Sequence, residues 1–180
     1  FRILIIDNGS TDPAARRYLD TVDADVLQVE TDGFNFSHIV NRGAQQVDTD
    51  YILLLNNDTE ILHPRWLQTM MNAMHLDKNI GAVGAKLLYP DGTVQHGGVA
   101  VGTPFYARHL HRIMTNCAAV TAACMLTRTG CLRDTGGFDE QEFPIAYNDV
   151  DYCLRLLANG YRIVYEPRAV LMHHEAATRG

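Results

Sequence analysis

Tyr51-Ile52-Leu53-Leu54-Leu55, followed at once by Asn56-Asn57-Asp58, constrains this chain more than any other stretch. Five apolar residues are too few for a soluble helix and carry no 3.6-residue period. The run reads as a strand buried on both faces, of the kind found inside a largely parallel sheet. The polar triplet then falls at the carboxyl end of that strand, where open α/β sheets bind their ligands. Asn-Asn-Asp offers several oxygens and one firm negative charge. That suits a divalent cation carrying phosphates, because hard cations take oxygen ligands. The competing reading is an Asx-rich turn leading into the next helix.

The flanking sequence repeats this logic. Residues 2–6 form a second short apolar run, again ending in polar residues, Asp7-Asn8-Gly9-Ser10. Asp12 before Pro13 is a good N-cap and first residue for a helix to about Leu19. Residues 26–29 are a third strand candidate. Ser37 is the expected cap of a helix whose apolar face is Ile39, Val40, Ala44 and Val47. Pro64 opens another, in which Leu67, Met70, Met71 and Met74 make a core stripe. Residues 81–84 read as a strand, and 86–89 with 93–96 as a hairpin around Pro90-Asp91-Gly92. Residues 97–116, with Arg108, His109, His111 and Arg112, show no period and are the best candidate for a mobile loop over a site. Residues 118–127 are strand-like. The clearest helix is 148–158, with Asn148 as a plausible cap, Asp149 and Asp151 in its first turn and Gly160 at its end. Two short strands, 162–165 and 169–172, lead to His173-His174-Glu175. Strands alternating with helices and then shorter β pieces predict a single α/β domain with a mixed sheet.

Composition excludes some classes. Fifteen Lys and Arg against 21 Asp and Glu give a net charge of −6, which argues against general nucleic-acid binding. Cys117, Cys124, Cys131 and Cys153 form no C-x-x-C pair, so a zinc knuckle is not expected and free thiols are. No apolar run reaches the length of a membrane span.

The polar strand ends suggest chemistry. Asp58 and one of the late histidines could share a cation, leaving positions open for phosphate oxygens and water. Against this, His173 and His174 also read as ordinary strand-end histidines. Asp149 could serve as a general base, or only as an acid favoured at a helix N-terminus.

Five pieces together resemble the family-2 glycosyltransferases. They are Ile5-Ile6-Asp7-Asn8-Gly9-Ser10-Thr11-Asp12, Leu55-Asn56-Asn57-Asp58-Thr59-Glu60, Gly136-Gly137-Phe138-Asp139-Glu140, Asn148-Asp149-Val150-Asp151-Tyr152-Cys153-Leu154-Arg155, and His173-His174-Glu175 with Arg179-Gly180. They run in the family's order across nearly the whole chain, and look most like bacterial members that build rhamnose-containing and other surface polysaccharides. The resemblance implies a GT-A fold, a mostly parallel mixed sheet flanked by helices, with the family's first strand and helix missing before Phe1. It divides the domain into a nucleotide-binding part over about 1–60 and an acceptor side over about 85–180.

It also implies roles. Asp7 would contact the base of a nucleotide-diphosphate sugar, with Asn41 nearby. Asn56-Asn57-Asp58 stands at the D-x-D position, with Asp58 as ligand to Mn2+ or Mg2+ and one of His173 and His174 completing the metal site. Asp149 stands at the position of the catalytic base, and residues 137–139 would line the acceptor side. Two positions depart from the pattern: Asn56 replaces the first acid of D-x-D, and Asn148 the Glu usual before the base. The implied reaction is inverting transfer to a hydroxyl of a glycan or lipid-linked acceptor. Its location would be cytoplasmic, with any membrane association through parts outside this chain. The rivals are a nucleotidyltransferase, for which no Gly-rich basic loop is visible, a non-catalytic nucleotide-sugar-binding domain, and a structural domain whose acids are only caps.

Overall fold

The computed structural model describes residues 1–100 and 112–174. Its elements run β1 (Leu4–Asp7), α1 (Pro13–Leu19), β2 (Asp25–Gln28), α2 (Phe36–Ala44), β3 (Tyr51–Leu55), β4 (Thr59–Ile61), α3 (Trp66–Met74), β5 (Ile80–Leu88), β6 (Val94–His96), β7 (Thr115–Cys117), β8 (Cys124–Arg128), α4 (Thr129–Asp134), α5 (Asn148–Ala158) and β9 (Arg162–His173). A seven-stranded mixed sheet has the order β3-β8-β5-β9-β4, with β6 added to β5 and β7 to β9. β5 and β9 run parallel at its centre. β1 and β2 form a separate parallel pair.

Side chains alternate between two apolar layers, as strand geometry requires. Ala82, Met125, Ile163 and Tyr165 pack with Val40 of α2, Leu132 of α4 and Tyr152, Cys153 and Leu156 of α5. Val83, Leu126, Val164 and Leu171 pack on the other face with Trp66, Met70 and Met74 of α3. The sheet is therefore covered by helices on both faces, which accounts for its nearly continuous apolar strands. α2 also sits close on β1, where a Cβ on Gly43 would collide with Ile6.

Several elements differ from the sequence reading. β3 is half-buried and pairs only with β8 among the described residues. An apolar run does not by itself tell an interior strand from an edge strand. The helix cap at α2 is Asn35, whose Oδ1 accepts from the His38 N–H, while the Ser37 hydroxyl donates to the Phe143 carbonyl. Tyr147, not Asn148, precedes α5, in a left-handed conformation with φ 62°. β4 was not expected at all, since three residues carry no periodic signal. Residues 118–123 of the expected long strand lie outside β8. Most of the expected mobile loop, residues 101–111, lies outside the described residues.

The last two predicted strands are one. β9 runs through Pro167 on an irregularity in its pairing with β5, the kind of position proline tolerates in a sheet. There the fully buried Glu166 carboxylate accepts from Arg168 Nε (2.9 Å) and Nη2 (2.7 Å) and from the Arg168 backbone N–H. Removing one partner of a buried pair leaves a charge without compensation. Because the arginine is 70% exposed, solvent screening reduces the effect. Arg168→Ala is expected to destabilise the fold by about 2 kcal/mol, read as a lower urea midpoint with an unchanged slope.

Candidate active site

The Asn56-Asn57-Asp58 triplet makes the tight turn between β3 and β4, closed by the Thr59 N–H and hydroxyl on the Asn56 carbonyl. β4 then pairs antiparallel with the end of β9, Thr59 opposite His173. This register, with the His174 N–H donating to the Asp58 carbonyl (2.9 Å), brings Asp58 to His173. Asp58 Oδ1 lies 3.1 Å from His173 Nε2, yet Oδ1 is buried without a hydrogen bond. His173 Nδ1 lies 2.7 Å from Gln95 Oε1. A side-chain carbonyl only accepts, so Nδ1 is the donor of this hydrogen bond and Nε2 is the ring atom that faces the carboxylate. An imidazole nitrogen and a carboxylate oxygen at this distance could share a cation. His174, on the opposite face of the strand end, turns to Glu60 Oε2 at 3.3 Å. Asn57 is exposed and Asn56 half-buried. Among the described residues no group of three or more His, Cys, Asp or Glu gathers as a metal cage. Asp58 and His173 stand as a pair rather than a cage.

Asp149 is half-buried in the first turn of α5. Its Oδ2 accepts from the Ala122 N–H (3.1 Å) and Oδ1 from the Val150 N–H (2.8 Å). The adjacent Ala123 carbonyl accepts from the Asn56 N–H (3.0 Å), so segment 122–123 links the acid of α5 to the end of β3. Asp151 has a different environment. It pairs with Arg155 (2.7 Å), whose guanidinium also donates to the Thr135 and Gly137 carbonyls. Beside it, Asn148 is buried and its Nδ2 lacks a hydrogen bond.

The glycine-bearing loop 136–140 is held from both sides. Opposite Arg155, Asn41 Nδ2 donates to the Phe138 carbonyl (2.8 Å) and Glu140 Oε1 (2.7 Å), and its Oδ1 accepts from the Phe138 N–H (2.8 Å). Gly137 has φ 77° and lies so close to Asn41 that a Cβ would clash. Burial opposes ionisation of Glu140, but the Asn41 amide and His38 (2.7 Å) outweigh it and hold the carboxyl below its ordinary range. Both ends of the Asn41 amide are thus occupied within the protein.

Asp7 ends β1 and accepts from the Ser10 hydroxyl (2.5 Å) and N–H; the Ser10 hydroxyl chiefly holds its carboxyl below the usual range. Asp7 lines a concavity of about 330 Å³ with Gly9, Ser10, Gln28 and Glu30. No hydrogen bond or ion pair described here joins Asp7 to Asp58 or Asp149. A second concavity, about 360 Å³, lies beside Asn41, Ile52, Leu132 and Gly137, and neither is lined by Asp58, His173 or Asp149.

Sequence reasoning missed Gln95 and His96 on β6. His96 Nε2 accepts from the Thr121 (3.4 Å) and Gly98 (3.3 Å) N–H groups, bracing the segment that holds Asp149. Burial lowers its pKa from 6.5 to about 4. Between those values the unfolded chain binds a proton that the folded chain does not, so stability is present above pH 6.5 and is lost as pH falls toward 4. His96 is only half-buried, which reduces the loss to about 2 kcal/mol. Urea titrations at pH 7 and pH 4.5 should show that drop, and His96→Gln should flatten it.

Among the described residues no helix is long and apolar enough to cross a membrane. Residues 10–179 match a family model described as glycosyltransferase-like family 2. The chain is 37% identical, over 99% of its length, to the O-antigen biosynthesis protein RfbC of Myxococcus xanthus, of which it spans only 15%. It is 27% identical, again over 99% of its length, to an N-acetylglucosaminyl-diphospho-decaprenol L-rhamnosyltransferase of Mycobacterium tuberculosis, spanning 68% of it. A mannosyltransferase from Pyrobaculum calidifontis, solved in complex with GDP-Man and Mn2+, superposes with a TM-score of 0.70 at 18% identity, over 98% of this chain and 48% of that one. That likeness shows the fold, a mixed α/β sheet flanked by helices in the GT-A arrangement.

Proposed function

This chain belongs to the glycosyltransferase-like family 2, and from that premise we propose that it moves a sugar from a nucleotide-diphosphate donor to an acceptor hydroxyl with inversion at the anomeric carbon. The observation that carries the reading is the Asp58–His173 pair, a buried carboxylate oxygen without a hydrogen bond 3.1 Å from an imidazole nitrogen. In this reading Asp58 and His173 would hold Mn2+ or Mg2+, with Asn56 and Asn57 on the same turn. A divalent cation bound there would supply positive charge to the departing diphosphate. His174 stays outside that site on its Glu60 contact. Asp7, in its concavity at the end of β1, contacts the nucleotide base. Asn41 acts by holding loop 136–140, since its amide has no end to spare for the donor. Residues 1–60 form the donor side and 85–180 the acceptor side.

Asp149 takes the proton of the acceptor hydroxyl as its oxygen attacks the anomeric carbon. The bond from that carbon to the diphosphate breaks, and its electron pair leaves with the phosphate oxygen. Attack from the face opposite the leaving group inverts the centre. The two backbone N–H groups on Asp149 fix its carboxylate in place, and each oxygen keeps a lone pair for the incoming proton. A retaining route would need a second, nucleophilic carboxylate, and the neighbouring Asp151 is tied to Arg155. The likeness to O-antigen and rhamnosyl proteins supports a glycan or lipid-linked acceptor in surface-polysaccharide synthesis. A charged donor does not cross membranes unaided, which supports a cytoplasmic reaction.

The test is a panel of UDP-, dTDP- and GDP-sugars with glycan and lipid-linked acceptors, with and without Mn2+. Release of one nucleoside diphosphate and an inverted anomer by NMR is the expected result. Nucleotide binding without turnover on any acceptor would favour a non-catalytic binding domain.

A further inference from the structure

We propose that Gln95 is a positioning residue for the cation site, accepting the Nδ1 proton of His173 and so keeping the Nε2 lone pair turned toward Asp58. The proposal rests on the reading of Asp58 and His173 as cation ligands.

Three observations carry it. The Gln95 Oε1 to His173 Nδ1 distance is 2.7 Å, a full hydrogen bond between a donor and an atom that only accepts. Gln95 also occupies an irregular position. Along β5, Leu87 pairs with His96 and Leu88 with Val94, which leaves Gln95 as the extra residue of a bulge on β6. Bulges re-aim a side chain that regular pairing would commit elsewhere. This one turns Gln95 onto the last residue of β9, beside the paired Leu88 and Met172. Finally, His173 Nε2 lies 3.1 Å from Asp58 Oδ1, close enough for the two atoms to hold one cation, and a proton on Nε2 would exclude it. Hydrogen bonding at the far nitrogen fixes both ring orientation and tautomer, and raises the basicity of the ligating nitrogen.

The experiment uses the 15N-labelled chain, read by two-bond 1H–15N correlations of the imidazoles. Mn2+ alone is then titrated, followed by the loss of the free-ion EPR signal and by broadening of His173. The wild type should show the Nδ1–H form of His173 and bind Mn2+. Gln95→Leu should shift His173 toward the Nε2–H form and weaken Mn2+ about 10-fold or more. Gln95→Glu, which keeps an acceptor, should restore both. Unchanged tautomer and Mn2+ affinity in Gln95→Leu would overturn the role of Gln95, as would failure of Gln95→Glu to restore them. Absence of Mn2+ broadening at His173 in the wild type would instead overturn the cation reading itself. The tautomer comparison still reports on the Gln95 hydrogen bond in that case.

Discussion

Asp149→Asn lowers turnover about a thousandfold and leaves nucleotide affinity unchanged. The substitution keeps the shape of the side chain, and its oxygen still accepts one of the two N–H groups, from Ala122 or Val150. What disappears is the capacity to take a proton as the acceptor oxygen attacks. If Asp149 served only the helix terminus, the same change would cost about 0.5–1 kcal/mol of stability and would not touch turnover on a folded enzyme. Asp151→Asn provides the contrast. It breaks the pair with Arg155, which also holds the Gly137 carbonyl. It should therefore loosen loop 136–140 and raise the KM for acceptor more than it lowers kcat. Steady-state kinetics of the two variants at saturating donor separate the roles.

Asp58→Ala is the second large effect. It should abolish the metal-dependent part of nucleotide binding, a loss of about a hundredfold or roughly 3 kcal/mol. Stability should move the other way or not at all. Asp58 Oδ1 is buried without a hydrogen bond and its one close partner is His173 Nε2, so its removal costs the fold little. The turn survives, because Thr59 closes it on the Asn56 carbonyl and the His174 N–H bonds the Asp58 carbonyl, which alanine retains. Loss of binding with an unchanged or higher melting temperature marks a residue kept for its ligand. A purely structural turn acid would show the reverse pattern.

The sequence revealed what depends on local pattern. The Asp12–Pro13 start of α1, the Met stripe of α3, the hairpin at Pro90-Asp91-Gly92 and the span of α5, though not its cap, are set by turns and periodicity within a dozen residues. The order of strand-end polar clusters gave the family and the fold. What stayed hidden depends on register between distant strands. β4 is too short to show a period, yet its pairing with β9 sets His173 rather than His174 beside Asp58. Residues 166–168 fell between two expected strands, when they form an irregularity within one. Asn41 offered no sign that both ends of its amide are taken by residues 97 and 99 positions away. Gln95 carried no signal at all, because a lone amide on a three-residue strand has meaning only once its bulge faces His173.

Calorimetric titration of the chain with UDP, dTDP and GDP, each with and without Mn2+, tests the Asp58–His173 cation site most directly. One of the three is expected to bind, only with Mn2+, and Asp58→Ala is expected to remove the metal dependence. Nucleotide binding of equal strength with and without Mn2+, or unaltered in Asp58→Ala, would contradict the assignment of Asp58 and His173 as the cation site.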